Sequence, residues 1–378
     1  MGAGTGSPAR TLAAIFDTAA ARDPEALALI GDGREVTYGE LDGRANRLAR
    51  HLADRGIGPE SLVVLGIPRS VESVLAVWAV ARTGAAFVPV DPDYPPERVA
   101  NMLADCGAEI GVTTGEFRSQ FPDSVHWLEL DDPDVVRACA RWSSGPVTDS
   151  DRTAPLRIDH PAYLIYTSGS TGRPKAVTIT QRGLANYADA QRAHSGVTAD
   201  ARTLHFSSPS FDVSLLEYLL CFAAGATMVI VPRTVYGGTE LTAVLRKQRV
   251  THAFITPAAI ASVDPSGLDD LACILVGGES WQRDLVTDWL PQCRVLNVYG
   301  PTETTIVVNI EECTGQSRLT MGGPIPGVAE LVLDGRLRPV PAGSRETCTS
   351  RGRDSPRLPP ASGVDGRALR REPVRRAR

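Results

Sequence analysis

Hydrophobic positions along the chain recur in two alternating rhythms. Residues 11–22 set Leu12, Ile15, Phe16 and Ala19 at helical spacing and stop before Asp23-Pro24, which predicts an amphipathic helix ended by proline. The segment Val36-Thr37-Tyr38-Gly39-Glu40-Leu41 leads into a second helix through Leu48 to Leu52. Residues 61–67 then read as a buried strand, 71–83 as a helix and 86–90 as another strand. Strand, helix and strand at this spacing predict a crossover unit, and therefore a parallel sheet. Prolines at 92, 95 and 96 set a turn into a helix through Leu103. Residues 143–155 turn polar and contain Gly, Ser and Pro, the pattern of a linker. Farther on, the spacing predicts a mostly apolar helix over 215–222 and strands over 272–276 and 294–298. The class is α/β, and 378 residues give room for more than one lobe.

Composition narrows the picture. With 43% hydrophobic and 22% charged residues the chain is that of a soluble globular protein. No apolar run reaches membrane-span length and no basic-then-apolar leader opens the chain, so a cytoplasmic location without membrane attachment is expected. Seven cysteines contain no C-x-x-C pair, which predicts reduced core cysteines rather than a zinc site or a disulfide framework. The net charge of −5 hides an asymmetry: residues 344–378 hold ten arginines against four acids, a surplus of six that leaves the preceding residues at −11. That acidic body carries no basic stripe, so no nucleic-acid partner is expected.

The densest chemistry lies in residues 162–177, A-Y-L-I-Y-T-S-G-S-T-G-R-P-K-A-V. Tyr163, Leu164, Ile165 and Tyr166 read as a short buried strand, and Thr167, Ser168, Gly169, Ser170, Thr171 and Gly172 are all hydroxyl or glycine. Such a loop suits an anion: hydroxyls and backbone N–H groups converge, and Gly169 and Gly172 permit positive φ. Lys175 adds a mobile positive charge. Taken alone, the same residues fit a solvated turn equally well. The spacing is neither that of a Walker A loop nor of a G-x-G-x-x-G dinucleotide fold. Downstream, Asp212 precedes the apolar helix and on local grounds reads as an N-cap, while Gly277 and Gly278 read as the end of a strand.

Y-T-S-G-S-T-G-x-P-K resembles the signature loop of the adenylate-forming superfamily, in the variant carried by amino-acid-activating adenylation domains of nonribosomal peptide synthetases. Other stretches match that family in order: V-T-Y-G-E-L at 36–41, residues 84–92, F-D-V-S at 211–214 and N-V-Y-G-P-T-E at 297–303. Ala176 stands where the family usually has glycine, which stiffens the loop. The resemblance covers residues 10–343, after a flexible 1–9. It implies the large N-terminal lobe of such enzymes, two βαβ-type sheets packed with helices plus a small β-barrel-like subdomain.

The same resemblance implies the site. Residues 167–172 and Lys175 would hold the ATP phosphates, and Gly277, Gly278 and Glu279 would lie against the adenine. Asn297 would hydrogen-bond the adenine amine, Tyr299 would pack on the base beside Gly300, Thr302 would touch the α-phosphate, and Glu303 would supply the hard oxygen that Mg²⁺ prefers. Thr302, Glu303 and Lys175 form the catalytic set. Asp212 would bind the substrate's α-ammonium, since a buried carboxylate facing an apolar ligand loses several kcal/mol of solvation unless an opposite charge enters with it. Aligned by motif, the pocket comprises Asp212, Val213, Leu216, Phe254, Leu275, Gly277, Val298, Ile306 and Val307. Its apolar lining implies an apolar α-amino acid.

The match breaks at residue 344. Residues 344–378 lack any hydrophobic period and are rich in Arg, Pro, Ser and Gly, so they are expected to be disordered. Recoded in shifted frames, 345–356 permits G-D-L-Y-V-A-G-x-G-L-A and 356–378 permits R-G-Y-L-R-R-P-G, which resembles the family's missing sixth motif and its continuation. The tail is therefore expected to be a frameshift product. The implied losses are a ribose-binding aspartate, a hinge and a small C-terminal subdomain with its bridging lysine. By lineage the chain is an ATP-dependent, AMP-forming amino-acid ligase, and impaired turnover is the expected consequence. In complete enzymes the acyl group passes to a phosphopantetheine thiol, so a peptidyl carrier protein is expected in trans, with room for a small activating partner. Two other readings stay open: an acyl-CoA or aryl-acid ligase of the same superfamily, and a non-catalytic nucleotide-binding remnant.

Overall fold

The structure is a computed structural model that describes residues 6–168, 174–280, 283–315, 319–334, 336, 338 and the strand at 348–352. Within these residues two sheets form. One has six strands, in spatial order His126–Glu129, Ile110–Thr113, Leu62–Leu65, Ala86–Pro89, Pro161–Thr167 and Lys175–Thr180. Its strands run parallel up to the last, which turns back antiparallel and pairs Lys175 with Thr167. The other has nine: Gly323–Pro324, Asn309–Glu312, Arg294–Tyr299, Cys273–Gly277, His252–Phe254, Arg202–His205, Thr227–Ile230, Leu27–Gly31 and Arg34–Thr37. Its six central strands are parallel, and antiparallel strands close both edges. The predicted βαβ rhythm is thus present, with strand ends trimmed by one or two residues. Val328–Val332 pairs antiparallel with Cys348–Gly352, so five residues of the stretch 344–378, expected to be disordered, instead form a strand, because ladder hydrogen bonds to a partner need no hydrophobic period of their own.

Each parallel strand is covered on both faces, which is why its residues read as continuous apolar runs rather than as alternation. Val63 and Leu65 face a core shared with the larger sheet, whereas Val64 faces a separate cluster with Val99 and Met102. The far face of the larger sheet packs Leu204, Val229, Ile274 and Val295 against Leu241, Leu245 and Trp289. Helices therefore cover both outer faces and also fill the space between the sheets.

That middle layer is held by helices Leu12–Arg22, Val71–Thr83 and Val213–Phe222. Local chemistry starts each of the first two. Thr11 caps the first by accepting from the Ala14 N–H, and Ser70 caps the second by accepting from the Ser73 N–H. Their side chains meet in an aromatic knot: Phe16 stacks on Trp78 at 4.5 Å, and Phe222 stands edge-on to both, at 5.3 and 5.0 Å. Arg82, only 1% exposed, is paired with Asp17 at 2.9 Å and with Asp42. Residues 143–155, read as a linker, are instead clamped to the surface: Arg50 donates to the carbonyls of Ser143, Gly145 and Pro146 at 2.8 Å each and pairs with Asp151 at 2.9 Å. Cys106, Cys139, Cys221, Cys273, Cys293 and Cys313 are free thiols.

Because Phe222 joins three helices and is 1% exposed, Phe222→Ala is expected to lower the unfolding free energy by about 3–5 kcal/mol. Urea denaturation followed by circular dichroism measures this, and a loss below about 1 kcal/mol would remove the knot as the anchor of the middle layer.

Candidate functional site

The order of the larger sheet reverses at one place. The strand after Arg202–His205 in the chain, Thr227–Ile230, lies on one side of it, and the next, His252–Phe254, lies on the other. Open α/β sheets take ligands outside the carboxyl ends of the strands at such a switch point. The segment that leaves Arg202–His205 there, residues 206–212, carries Asp212 into the helix Val213–Phe222.

Two carboxylates five residues apart meet opposite fates in this region. Glu217 is fully buried and fully served: it accepts from the N–H groups of Phe206 and Ser207, from the Ser207 hydroxyl at 2.8 Å, and lies 2.5 Å from His205 Nδ1. Asp212 sits at the N-cap position with helical φ of −62° and ψ of −23° and makes no capping bond, so the capping role suggested by its position is not what it does. The Thr302 hydroxyl and the Val213 N–H lie close enough to favour its charged form. Those donors do not offset burial, which together with the nearby Glu303 charge raises its pKa above the ordinary carboxylate range.

Thr302 and Glu303 lie on the short turn Thr302–Thr304 that follows Arg294–Tyr299. Immediately after it, Thr305 and Ile306 have φ of 63° and 72°, a conformation that a β-branched residue rarely adopts. The backbone returns so closely that a Cβ on Gly300 would sit 2.3 Å from the Ile306 carbonyl oxygen, and one on Gly277 would sit 2.3 Å from that of Val298. Glycine is required at both positions. Gly278 follows with φ of 86°, and Gly278 and Glu279 are exposed at the same rim. Tyr299 is 39% exposed, while Asn297 is nearly buried and donates its amide to the Thr320 carbonyl at 2.5 Å. A hydrogen bond from an adenine amine to Asn297 would therefore be accepted by Oδ1.

Of the hydroxyl-rich loop, Gly169, Ser170, Thr171 and Gly172 lie outside the described residues. Its flanks are held together, Thr167 and Lys175 being partners in the hairpin, with the Thr167 hydroxyl 3.5 Å from the Lys175 carbonyl. Ser168 and Lys175 are exposed. The strand Lys175–Thr180 packs against the turn Thr302–Thr304, and Gly183 abuts the Thr305 side chain. Two segments more than a hundred residues apart thus share one side of the molecule. Among the described residues no three His, Cys, Asp or Glu side chains cluster as a metal cage. A Mg²⁺ held by one carboxylate and phosphate oxygens needs no such cage.

Leu216, Phe254, Leu275, Val298, Ile306 and Val307 all belong to the shared core, with Val213 packed against it and Gly277 buried beside them. Three polar residues there were missed from the sequence. Tyr163, Tyr187 and Gln191 are buried, and burial followed by the Asp212 charge pushes both phenols far above their usual pKa. The available signal was a tyrosine and a glutamine four apart on a helix face otherwise filled by alanine and leucine. Asp91, in a stretch read as structural, accepts from the Ser208 hydroxyl at 3.1 Å and so ties residues 84–92 to the segment bearing Asp212.

Comparison with known proteins identifies the family of the fold. The family model described as AMP-binding enzyme matches residues 16–347. CymA of Salinispora arenicola, described as a probable nonribosomal peptide synthetase, is 44% identical over 340 residues, which are 88% of this chain and 4% of that protein. The nonribosomal peptide synthetase FmoA3 with α-methyl-L-serine-AMP bound has a TM-score of 0.83 at 28% identity, covering 93% of this chain and 40% of that one. The N-terminal subdomain of Klebsiella oxytoca NpsA in complex with 3-hydroxybenzoyl-AMSN has a TM-score of 0.78 at 25% identity, covering 90% and 85%. The chain thus spans a small part of the large synthetases it matches and most of an N-terminal subdomain. It belongs to the AMP-binding enzyme family, and the relatives it resembles within that family are adenylation domains of nonribosomal peptide synthetases.

Proposed function

We propose that this chain activates an α-amino acid at the expense of ATP. One carboxylate oxygen of the amino acid attacks the α-phosphorus in line, the bond from that phosphorus to the bridging oxygen of pyrophosphate breaks, and an aminoacyl adenylate remains. The observation that carries this reading is the under-served Asp212 carboxylate. Glu217 nearby is wholly buried among protein donors, whereas Asp212 stays partly exposed and its burial still raises its pKa, so its charge is less well served by the protein. An α-ammonium entering the pocket supplies the missing opposite charge, whereas an apolar ligand leaves the carboxylate stranded.

The remaining residues position and neutralise. Leu216, Phe254, Leu275, Val298, Ile306 and Val307 exclude water around the side chain, with Val213 and Gly277 completing the wall and the carbon-rich character of the substrate following from it. Tyr299, partly exposed, offers a ring face to the base, and the bare backbone at Gly277 and Gly278 allows close approach of a flat group. Thr302, close to Asp212, would touch the α-phosphate and so link the two halves of the reaction. Residues 167–172 and Lys175 would hold the outer phosphates. Glu303 would hold Mg²⁺, which when bound neutralises phosphate charge. Catalysis on this reading is mostly orientation and charge compensation. The acyl group would pass to a phosphopantetheine thiol on a carrier protein in trans. The complexed N-terminal subdomain of NpsA supports the view that a lobe of this extent holds an acyl-adenylate analogue unaided.

An aryl-acid ligase is the second reading, since the NpsA ligand carries a benzoyl group. The two separate at Asp212. Removing the charge in Asp212→Asn is expected to cost about 2–5 kcal/mol of affinity for an aminoacyl sulfamoyl adenosine by calorimetry, with little change for its des-amino analogue; equal losses for both would favour the aryl-acid reading. Amino-acid-dependent pyrophosphate exchange is the matching activity measurement. No amino acid giving exchange despite ATP binding would leave a non-catalytic remnant.

The raised pKa of Asp212 sets a pH dependence. Protonation removes the partner of the ammonium, so amino-acid affinity is expected to fall as pH drops through a value above the ordinary aspartate 3.8. In the ligand-free chain the sign reverses: the buried charge destabilises the fold above that pKa, so acidification through it recovers stability. Melting curves should show Asp212→Asn more stable than the wild type at neutral pH, with the gap closing toward acid. A variant less stable at every pH would contradict this.

A further inference from the structure

Resting on that reading, we infer that the substrate pocket has one polar wall, formed by Tyr187 and Gln191 with Tyr163, and that this wall selects an amino acid whose side chain carries a neutral hydroxyl or amide.

The helix Leu184–Ser195 brings Tyr187 and Gln191 to one face, one turn apart. Its start abuts Thr305 through Gly183, where a Cβ would sit 3.1 Å from the threonine hydroxyl. One turn beyond Tyr187, Gln191 donates its amide to the Leu216 carbonyl at 3.2 Å. Tyr187 is therefore placed between the turn bearing Thr302 and the pocket residue Leu216. Gln191 is fully buried, and its Oε1 has no partner. The Tyr187 hydroxyl, on a residue 1% exposed, has none either, and neither has that of the fully buried Tyr163, whose ring stacks on Phe87 at 5.8 Å. The Asp212 charge acts on both phenols and Tyr163 acts on Tyr187, so the two phenols and the carboxylate share one region, with Gln191 one turn from Tyr187 on the same helix.

A polar atom stripped of water and left without a partner costs about 1–3 kcal/mol. Three such atoms beside a carboxylate that itself lacks partners differ from isolated orphans in the core: a single ligand group satisfies several at once. Their chemistry restricts that group. Gln191 Oε1 only accepts, while a phenol donates or accepts, so a group that both donates and accepts fits best. A second carboxylate is disfavoured, because Asp212 is close and Gln191 presents lone pairs. The other walls are apolar, so the skeleton remains carbon-rich. This refines the apolar substrate read from the motif-aligned positions, which omit the helix at 184–195.

The test uses binding, which does not require turnover. Shape-matched pairs of aminoacyl sulfamoyl adenosines (phenylalanyl and tyrosyl, valyl and threonyl, leucyl and asparaginyl) are titrated into the purified full chain by calorimetry. In at least one pair the polar member is expected to bind about tenfold tighter or more. Tyr187→Phe and Gln191→Leu, both nearly volume-conserving, should each shrink that ratio toward one, with melting temperature reporting that the variants fold. Apolar members binding equally or better in every pair, or a preference that survives both variants, would overturn the inference while leaving amino-acid activation standing. Binding of des-amino analogues alone, or of no analogue at all, would overturn the underlying reading and this one with it.

Discussion

A charge removed from water must find its solvation inside the protein, and the region around residues 205–217 is built on that constraint. Glu217 sits in an otherwise apolar helix and pulls two backbone N–H groups, a serine hydroxyl and a histidine toward itself. In doing so it fixes the first residues of the segment that ends in Asp212. Arg69 holds the same segment from the other sheet, donating to the Phe206 carbonyl and, at 2.8 and 3.1 Å, to those of Val231 and Val235. The loop that bears the candidate binding carboxylate is thus pinned by buried charge on one side and a guanidinium on the other. Asp212 then inherits a defined position without a full set of donors, the arrangement expected of a group whose partner arrives from outside.

Two of the five non-glycine residues with positive φ among the described residues lie next to the turn Thr302–Thr304. Thr305 and Ile306 occupy the left-handed region, and Gly300 and Gly277 admit backbone at distances no side chain would tolerate. These features bring the turn bearing Thr302 and Glu303 against the hairpin that ends at Lys175 and against the start of the helix Leu184–Ser195. The aromatic knot of Phe16, Trp78 and Phe222 lies at the opposite end of the Val213–Phe222 helix and supplies apolar burial that can hold such a site in place. Rigidity sits at one end of that helix and unsatisfied polarity at the other.

The strand and helix succession was legible because parallel strands buried on both faces leave uninterrupted apolar runs, and because proline, glycine and hydroxyl caps punctuate them. Leu62–Leu65, Val71–Thr83 and Ala86–Pro89 fall where periodicity put them. The linker reading of residues 143–155 was correct about polarity and silent about Arg50, since a guanidinium's choice of distant carbonyls leaves no local pattern. The capping reading of Asp212 came from its place before a helix, and it yields because the residue already has helical φ and ψ and its side chain makes no capping bond.

What the sequence determined by itself was the class of chemistry: contiguous motifs such as Y-T-S-G-S-T-G-R-P-K and N-V-Y-G-P-T-E put hydroxyls, glycines and an acid at spacings that local backbone geometry can use. Its hydrophobic periodicity, a local property, also determined the α/β class with parallel strands, while the two-sheet arrangement was implied by the resemblance of those motifs. Only the tertiary structure decided that the turn at 302–304 meets the strand Lys175–Thr180, that Glu217 is wholly buried among donors while Asp212 stays partly exposed, and that Tyr163, Tyr187 and Gln191 are buried with polar atoms left unpartnered. Those facts depend on which donors approach a given atom from segments far apart along the chain. Burial and partnering are properties of the folded interior, which no stretch of sequence carries alone.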